Sequence, residues 1–172
     1  MPGPSAHILR PIRIPLLILI VCVLALATAL AAQYWGGLRP CELCLRQRYA
    51  YVAAGAAGLA GIGCATLGRR RATAAMVALA GLAFATGAGI AIFHVGVEQH
   101  WWQGSSACDS SLFKAGASIG DITKAIENAP MVRCDQIAWS LAGISMAGYN
   151  AILSVGLALA AFLAAHRLWR TT

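Results

Sequence analysis

The residues best equipped for chemistry are six cysteines, Cys22, Cys41, Cys44, Cys64, Cys108 and Cys134. Cys41 and Cys44 make a Cys-x-x-Cys in the stretch Gln33 to Arg48. Oxidised, that spacing closes a very small ring, which favours easy reduction, and it is the spacing of thiol oxidoreductases. Cys44 falls where an apolar span begins. The partial positive charge of a helix N-terminus, with Arg46 and Arg48 in the next turn, would stabilise a thiolate there. A structural disulfide and half of a zinc site are the competing uses. Zinc requires a second pair at comparable spacing, whereas Cys108 and Cys134 lie 26 positions apart. A disulfide between those two would tie down a long loop and contribute about 3 kcal/mol by the chain-entropy model. A purely structural bond there is one reading and a redox pair the other. Cys22 and Cys64 sit inside apolar stretches and read as small hydrophobes.

Four elements must carry these thiols. Crossing about 30 Å of hydrocarbon takes about 20 apolar helical residues. Four such stretches occur, at about 14–32, 49–67, 72–97 and 138–165, which leaves loops at about 33–48 and 98–137. The prediction is an all-α, four-transmembrane-helix bundle forming a single integral membrane domain. Small residues recur four apart in the last three spans: Ala53/Ala57/Gly61/Ala65, Gly81/Ala85/Gly89 and Gly143/Ala147/Ala151. Such stripes let helix backbones approach closely in lipid. The first run follows Arg10 and Arg13 and ends near Ala29-Leu30-Ala31, as a cleaved signal would, but it exceeds the roughly 7–15 residues of a signal core. It is expected to stay as an anchor.

Composition agrees with this frame. Of 172 residues, 59% are hydrophobic and 11% charged, with a mean hydropathy of +0.70. Soluble domains carry about 25% charged residues, so a cytosolic globular enzyme and a disordered chain are excluded. The net charge of +7 is not a nucleic-acid surface, since no basic patch with interleaved aromatics occurs. On one side of the spans lie Arg10, Arg13, Arg69, Arg70, Arg71, Arg167 and Arg170 with no acid. On the other, Arg39, Arg46, Arg48, Lys114, Lys124 and Arg133 are balanced by Glu42, Glu98, Asp109, Asp121, Glu127 and Asp135. Positive charge crowding the ends of short segments marks the cytoplasmic side, so both termini are predicted cytoplasmic. Cys41, Cys44, Cys108 and Cys134 then share the outer side, where disulfides persist. The segment from Ser111 to Ile126 reads as weakly amphipathic and able to lie on a membrane surface.

Pro40-Cys41-Glu42-Leu43-Cys44-Leu45-Arg46-Gln47-Arg48, outside a four-span protein whose second outer loop holds two more cysteines, resembles the DsbB family of disulfide bond formation proteins. The likeness covers nearly the whole chain and extends to Phe93-His94-Val95-Gly96-Val97-Glu98-Gln99 with Trp101-Trp102. It implies a bacterial inner-membrane thiol:quinone oxidoreductase that reoxidises a periplasmic DsbA-like thioredoxin-fold protein. Its cofactor would be ubiquinone or menaquinone dissolved in the membrane lipid. No flavin, haem or nucleotide motif competes for the electron-acceptor role.

By the same resemblance, Cys41 and Cys44 are the pair that delivers electrons to quinone, with Cys44 nearest the ring. Cys108 and Cys134 are the pair that exchanges with the soluble partner, Cys108 forming the mixed disulfide. Arg48 matches the quinone-site arginine, whose guanidinium can stabilise thiolate and reduced-quinone charge; otherwise it is an interfacial arginine. His94 either hydrogen-bonds a quinone oxygen or is a buried, satisfied histidine. Glu98, Trp101 and Trp102 read as interface anchors, and Gln47 has no separate role.

Three rivals are weighed against this reading. A non-enzymatic four-span interaction protein would carry structural disulfides that resist mild reduction. A proton-coupled transporter would keep acids inside the spans, where none occurs here. A vitamin K epoxide reductase-type enzyme would place its Cys-x-x-Cys late in the chain.

Overall fold

The computed structural model describes residues 4–104 and 133–170, with side chains from residue 11. Four long helices dominate: α1 (Pro4–Tyr34), α2 (Glu42–Thr66), α3 (Arg70–Glu98) and α4 (Met146–Arg170). Each contains a stretch long and apolar enough to cross a membrane. This is the all-α four-span architecture expected from the apolar runs. Each helix turns large apolar side chains outward, Leu24, Leu59, Leu82 and Leu163 among them. Such outer faces suit lipid rather than water.

Packing runs in sequence: α1 lies on α2, α2 on α3, and α3 on α4, while α1 and α4 share no packed interface of their own. The core between them holds Cys22, Tyr51, Ala54, Val77, Ala80, Phe84, Ala158 and Ala161. Tyr51 meets Phe84 edge-on, ring centroids 5.7 Å apart.

The small-residue stripes work, but in shifted register. In α2, Ala53 faces outward and Gly55, Gly58 and Gly61 make the approach to α1. In α3, Gly81 makes room for the Phe162 ring while Ala85 and Gly89 face out. Spacing by four drifts around a helix of 3.6 residues per turn, so only part of each stripe stays in contact. A methyl group at Gly58 would stand 3.1 Å from the Pro15 carbonyl oxygen, which is backbone and cannot turn aside. Gly58→Leu is therefore expected to force α1 and α2 apart and cost about 1–3 kcal/mol. The check is a lowered thermal midpoint in detergent, with Gly63→Leu, where a new Cβ meets nothing within 4 Å, as the tolerated control.

The fourth span departs from its expected start near residue 138. Residues Ser140–Leu141 (β1) and Ile144–Ser145 (β2) form a short antiparallel hairpin, and helix begins only at Met146. The turn residues Ala142 and Gly143 both have positive φ, 50° and 78°, which the primed hairpin turns require. Gly143 thus serves the turn and not a helix-packing stripe. Ser145 then caps α4, its Oγ accepting from the Gly148 N–H at 3.1 Å. Apolar composition continues through the hairpin, so hydropathy alone could not separate it from the helix.

Cys108, Lys114, Lys124 and the Ser111–Ile126 segment lie outside the described residues.

Candidate active site

The start of α2 builds the thiol pair. Cys41 is its N-cap, with extended backbone (φ −79°, ψ 173°), and its Sγ accepts from the Cys44 N–H at 3.4 Å. Cys44 stands one turn inside the helix with its Sγ 2.9 Å from that of Cys41. The Cys41 thiol donates across this gap. That bond, then burial, pushes its pKa well above the usual thiol range, against a smaller opposite pull from His94. Cys41 is thus the donor and Cys44 the acceptor of the thiol–thiol bond. Both are free thiols, as are Cys22 and Cys64.

Arg48 follows Cys44 by one turn. Its guanidinium donates to Gln33 Oε1 at 2.6 Å and to the Ala29 carbonyl at 3.2 Å, both on α1. These bonds fasten the charge in place, so Arg48 is not a freely snorkelling side chain.

Where α1 and α4 flank α2 without packing on each other, a cavity of about 690 Å3 opens. Its walls are mainly apolar, including Leu26, Leu38, Met146 and Leu153, and Cys44, Arg48 and His94 are among its polar lining. A mostly apolar pocket with a few polar groups is the usual form of a small-ligand site.

His94, one turn from the end of α3, is 4% exposed and has partners on both ring nitrogens. Its Nε2 lies 3.6 Å from Cys41 Sγ, and its Nδ1 lies 3.0 Å from Gln47 Nε2. It is thus a satisfied buried histidine that also lines the cavity, joined to the thiol pair itself. Cys134 completes the cluster. It is 1% exposed, disulfide-bonded, and packed with Cys41, Leu43 and Val97. Arg133 and Asp135 bracket it with a two-pronged pair, Nε to Oδ1 2.9 Å and Nη2 to Oδ2 2.5 Å. The Arg133 hydrogen bond holds the Asp135 carboxyl below its ordinary pKa.

Of the six candidate residues, Cys41, Cys44, Arg48, His94 and Cys134 converge here, and Cys108 lies outside the described residues. Glu98 corrects one expectation. Rather than anchoring at an interface, its side chain is 5% exposed, 3.9 Å from His94 Nε2, and hydrogen-bonded by the Ser145 hydroxyl. Gln47 gains a place between His94 and Asn150, whose Nδ2 donates to Gln47 Oε1 at 2.6 Å. Asn150, Tyr51 and Ser154 were missed altogether. Polar residues inside apolar spans, four apart as Gln47/Tyr51 and Asn150/Ser154, were the available signal. Trp102 donates its indole N–H to the Phe93 carbonyl at 2.9 Å and stacks on Phe93, while Trp101 is 70% exposed.

Comparison with known proteins adds a separate line. Residues 11–164 match the sequence profile of the family described as disulfide bond formation protein DsbB. The chain is 32% identical over 157 residues to the Disulfide bond formation protein B of Xanthomonas axonopodis pv. citri (strain 306), covering 89% of each chain. Identity and coverage are the same with the protein of that name from Xanthomonas oryzae pv. oryzae (strain MAFF 311018). An uncharacterized protein, RP370, of Rickettsia prowazekii (strain Madrid E) is 28% identical over 141 residues, 81% of this chain and 79% of the relative. No solved structure matches at a significant level.

Proposed function

The chain belongs to the DsbB family of disulfide bond formation proteins, and we propose that it is a membrane thiol:quinone oxidoreductase that reoxidises a periplasmic DsbA-like dithiol protein. The observation that carries this reading is the placement of Cys44 and Arg48 one turn apart on α2, both lining a mainly apolar cavity. A thiol that must deliver electrons to a lipid-soluble acceptor needs such a position. A merely structural disulfide does not.

The residues present fit a quinone. The cavity has the volume of a small-ligand site, and its apolar walls suit an isoprenoid-bearing ring. Arg48 would hold a ring oxygen by a charge-assisted hydrogen bond, with Cys44 beside it. When bound, quinone accepts two electrons and two protons and leaves as hydroquinone.

The protein's share is thiol–disulfide exchange. A partner thiolate attacks the Cys108–Cys134 disulfide, with Cys108 forming the mixed disulfide, and a second partner thiol releases the partner oxidised. The reduced loop pair then exchanges with the Cys41–Cys44 disulfide, leaving that pair as a dithiol. That dithiol would return to the Cys41–Cys44 disulfide by giving up two electrons and two protons to a quinone held beside Cys44 and Arg48. The net change is partner dithiol plus quinone to partner disulfide plus hydroquinone, so atoms and electrons balance. Cys134 already packs against Cys41, which supports exchange between the two pairs. Orientation with this end toward the periplasm rests on the arginines at the opposite end.

The test mixes purified protein in lipid vesicles with quinone and a reduced thioredoxin-fold partner. One quinone reduced for each partner disulfide formed is expected. Loss of partner thiols without quinone reduction, or no reaction in the intact protein, would overturn the reading.

A further inference from the structure

Five polar side chains within the helix frame form one connected chain that starts at Cys41. From Cys41 Sγ it passes to His94 Nε2 (3.6 Å), then from His94 Nδ1 to Gln47 Nε2 (3.0 Å), and from Gln47 Oε1 to Asn150 Nδ2 (2.6 Å). It ends where Asn150 Oδ1 accepts from the Tyr51 hydroxyl at 2.8 Å and the Ser154 hydroxyl at 3.4 Å. His94, Gln47, Tyr51 and Ser154 are each at most 6% exposed, and among the described residues no buried side-chain N or O lacks a partner. Polar groups at membrane depth are costly and mark function more often than packing.

An amide has a donor end and an acceptor end, so this chain has a direction. The Tyr51 hydroxyl donates to Asn150 Oδ1, with the Ser154 hydroxyl 3.0 Å from the Tyr51 oxygen, and Asn150 Nδ2 is left toward Gln47. That donor meets Gln47 Oε1 and leaves Gln47 Nε2–H facing His94 Nδ1. A ring nitrogen that accepts carries no proton, so a neutral imidazole here bears its proton on Nε2. Nε2 faces Cys41 Sγ, with Glu98 Oε1 3.9 Å away and the Cys134 backbone beside the ring.

We propose that Gln47 and Asn150 are positioning residues that hold His94 as the neutral Nε2–H tautomer, so that it donates a hydrogen bond to the Cys41 sulfur. This rests on the reading of Cys41 and Cys44 as the redox pair. In that role His94 stabilises negative charge on Cys41 when the thiol gives up its proton, and it is not the base that takes that proton. Gln47 and Asn150 act on the thiol pair through His94, with no hydrogen bond of their own to either sulfur. Tyr51 and Ser154 hold the far end of the chain at the centre of the bundle.

The test uses full-length protein, labelled with 15N-histidine, in detergent micelles, with His94→Gln identifying the His94 signals. A protonated Nε2 and a bare Nδ1 at neutral pH are expected. In Asn150→Leu, Gln47 loses the donor that fixes its amide, and His94 is expected to show both tautomers. With a water-soluble short-chain benzoquinone as acceptor, the rate constant for re-forming the Cys41–Cys44 disulfide at saturating quinone should fall about tenfold, the equivalent of one hydrogen bond. Gln47→Met should do the same. A protonated Nδ1 in the wild-type protein, as the other tautomer or as imidazolium, would overturn the proposal. So would an Asn150→Leu protein that keeps both the wild-type spectrum and rate constant. The wild-type spectrum needs no variant and no activity, so it decides the tautomer even if quinone reduction fails and the functional reading falls with it.

Discussion

Cys44→Ser should abolish quinone reduction, by more than about a thousandfold, in a protein that still folds. Serine keeps an acceptor for the Cys41 thiol proton and the backbone N–H that Cys41 caps, so the first turn of α2 loses little. What disappears is the sulfur at the cavity wall, and a hydroxyl can neither form a disulfide nor give up two electrons. Exchange with a reduced partner should stop at the loop pair. The measurement is quinone absorbance with excess reduced partner, alongside thermal stability as a check on folding. Turnover at the wild-type rate would sink the mechanism. Cys41→Ser should be equally inactive, yet it keeps the Cys44 thiol at the cavity, where an apolar alkylating reagent should still label it.

Arg48→Met carries the second largest effect. Methionine preserves much of the apolar stem and removes the guanidinium that donates to Gln33 and Ala29 and stands one turn beyond Cys44. Loss of a charge-assisted bond to a bound ring oxygen corresponds to about 1.5–3 kcal/mol, or about 10- to 150-fold in quinone KM. KM for the soluble partner should stay unchanged, because in the proposed mechanism the partner meets the loop cysteines and not the cavity. Arg48→Lys should recover only part of the loss, since an ammonium lacks the planar fork that now spans two acceptors on α1. Equal changes in both KM values, or none in either, would remove Arg48 from the quinone site. In that case its bonds to α1 would be a helix tie alone.

The site was legible in part because some of its chemistry is local. Cys41, Cys44 and Arg48 fall within two turns of one helix start, so spacing alone put them on a common face. Glu98 was misread because an acid at a span boundary has the same local sequence whether it faces lipid headgroups or turns inward. Only the arrival of Ser145, 47 positions later, and of His94 on its own helix settles the inward position. The fourth span was placed eight residues early for a similar reason: the hairpin before Met146 is as apolar as a helix start, and its signature is backbone φ at Ala142 and Gly143.

The sequence by itself determined the number of spans and the placing of a Cys-x-x-Cys at a helix start. These follow from run length and spacing, which are properties of contiguous residues. Tertiary structure alone decided which polar side chains meet. Gln47 reaches His94 across 47 positions and Asn150 across 103. In a frame whose outer faces suit lipid, every buried polar group must find its partner inside the bundle. That partner is chosen by which helices pack together, and here α2, α3 and α4 bring the chain of bonds to the Cys41 sulfur.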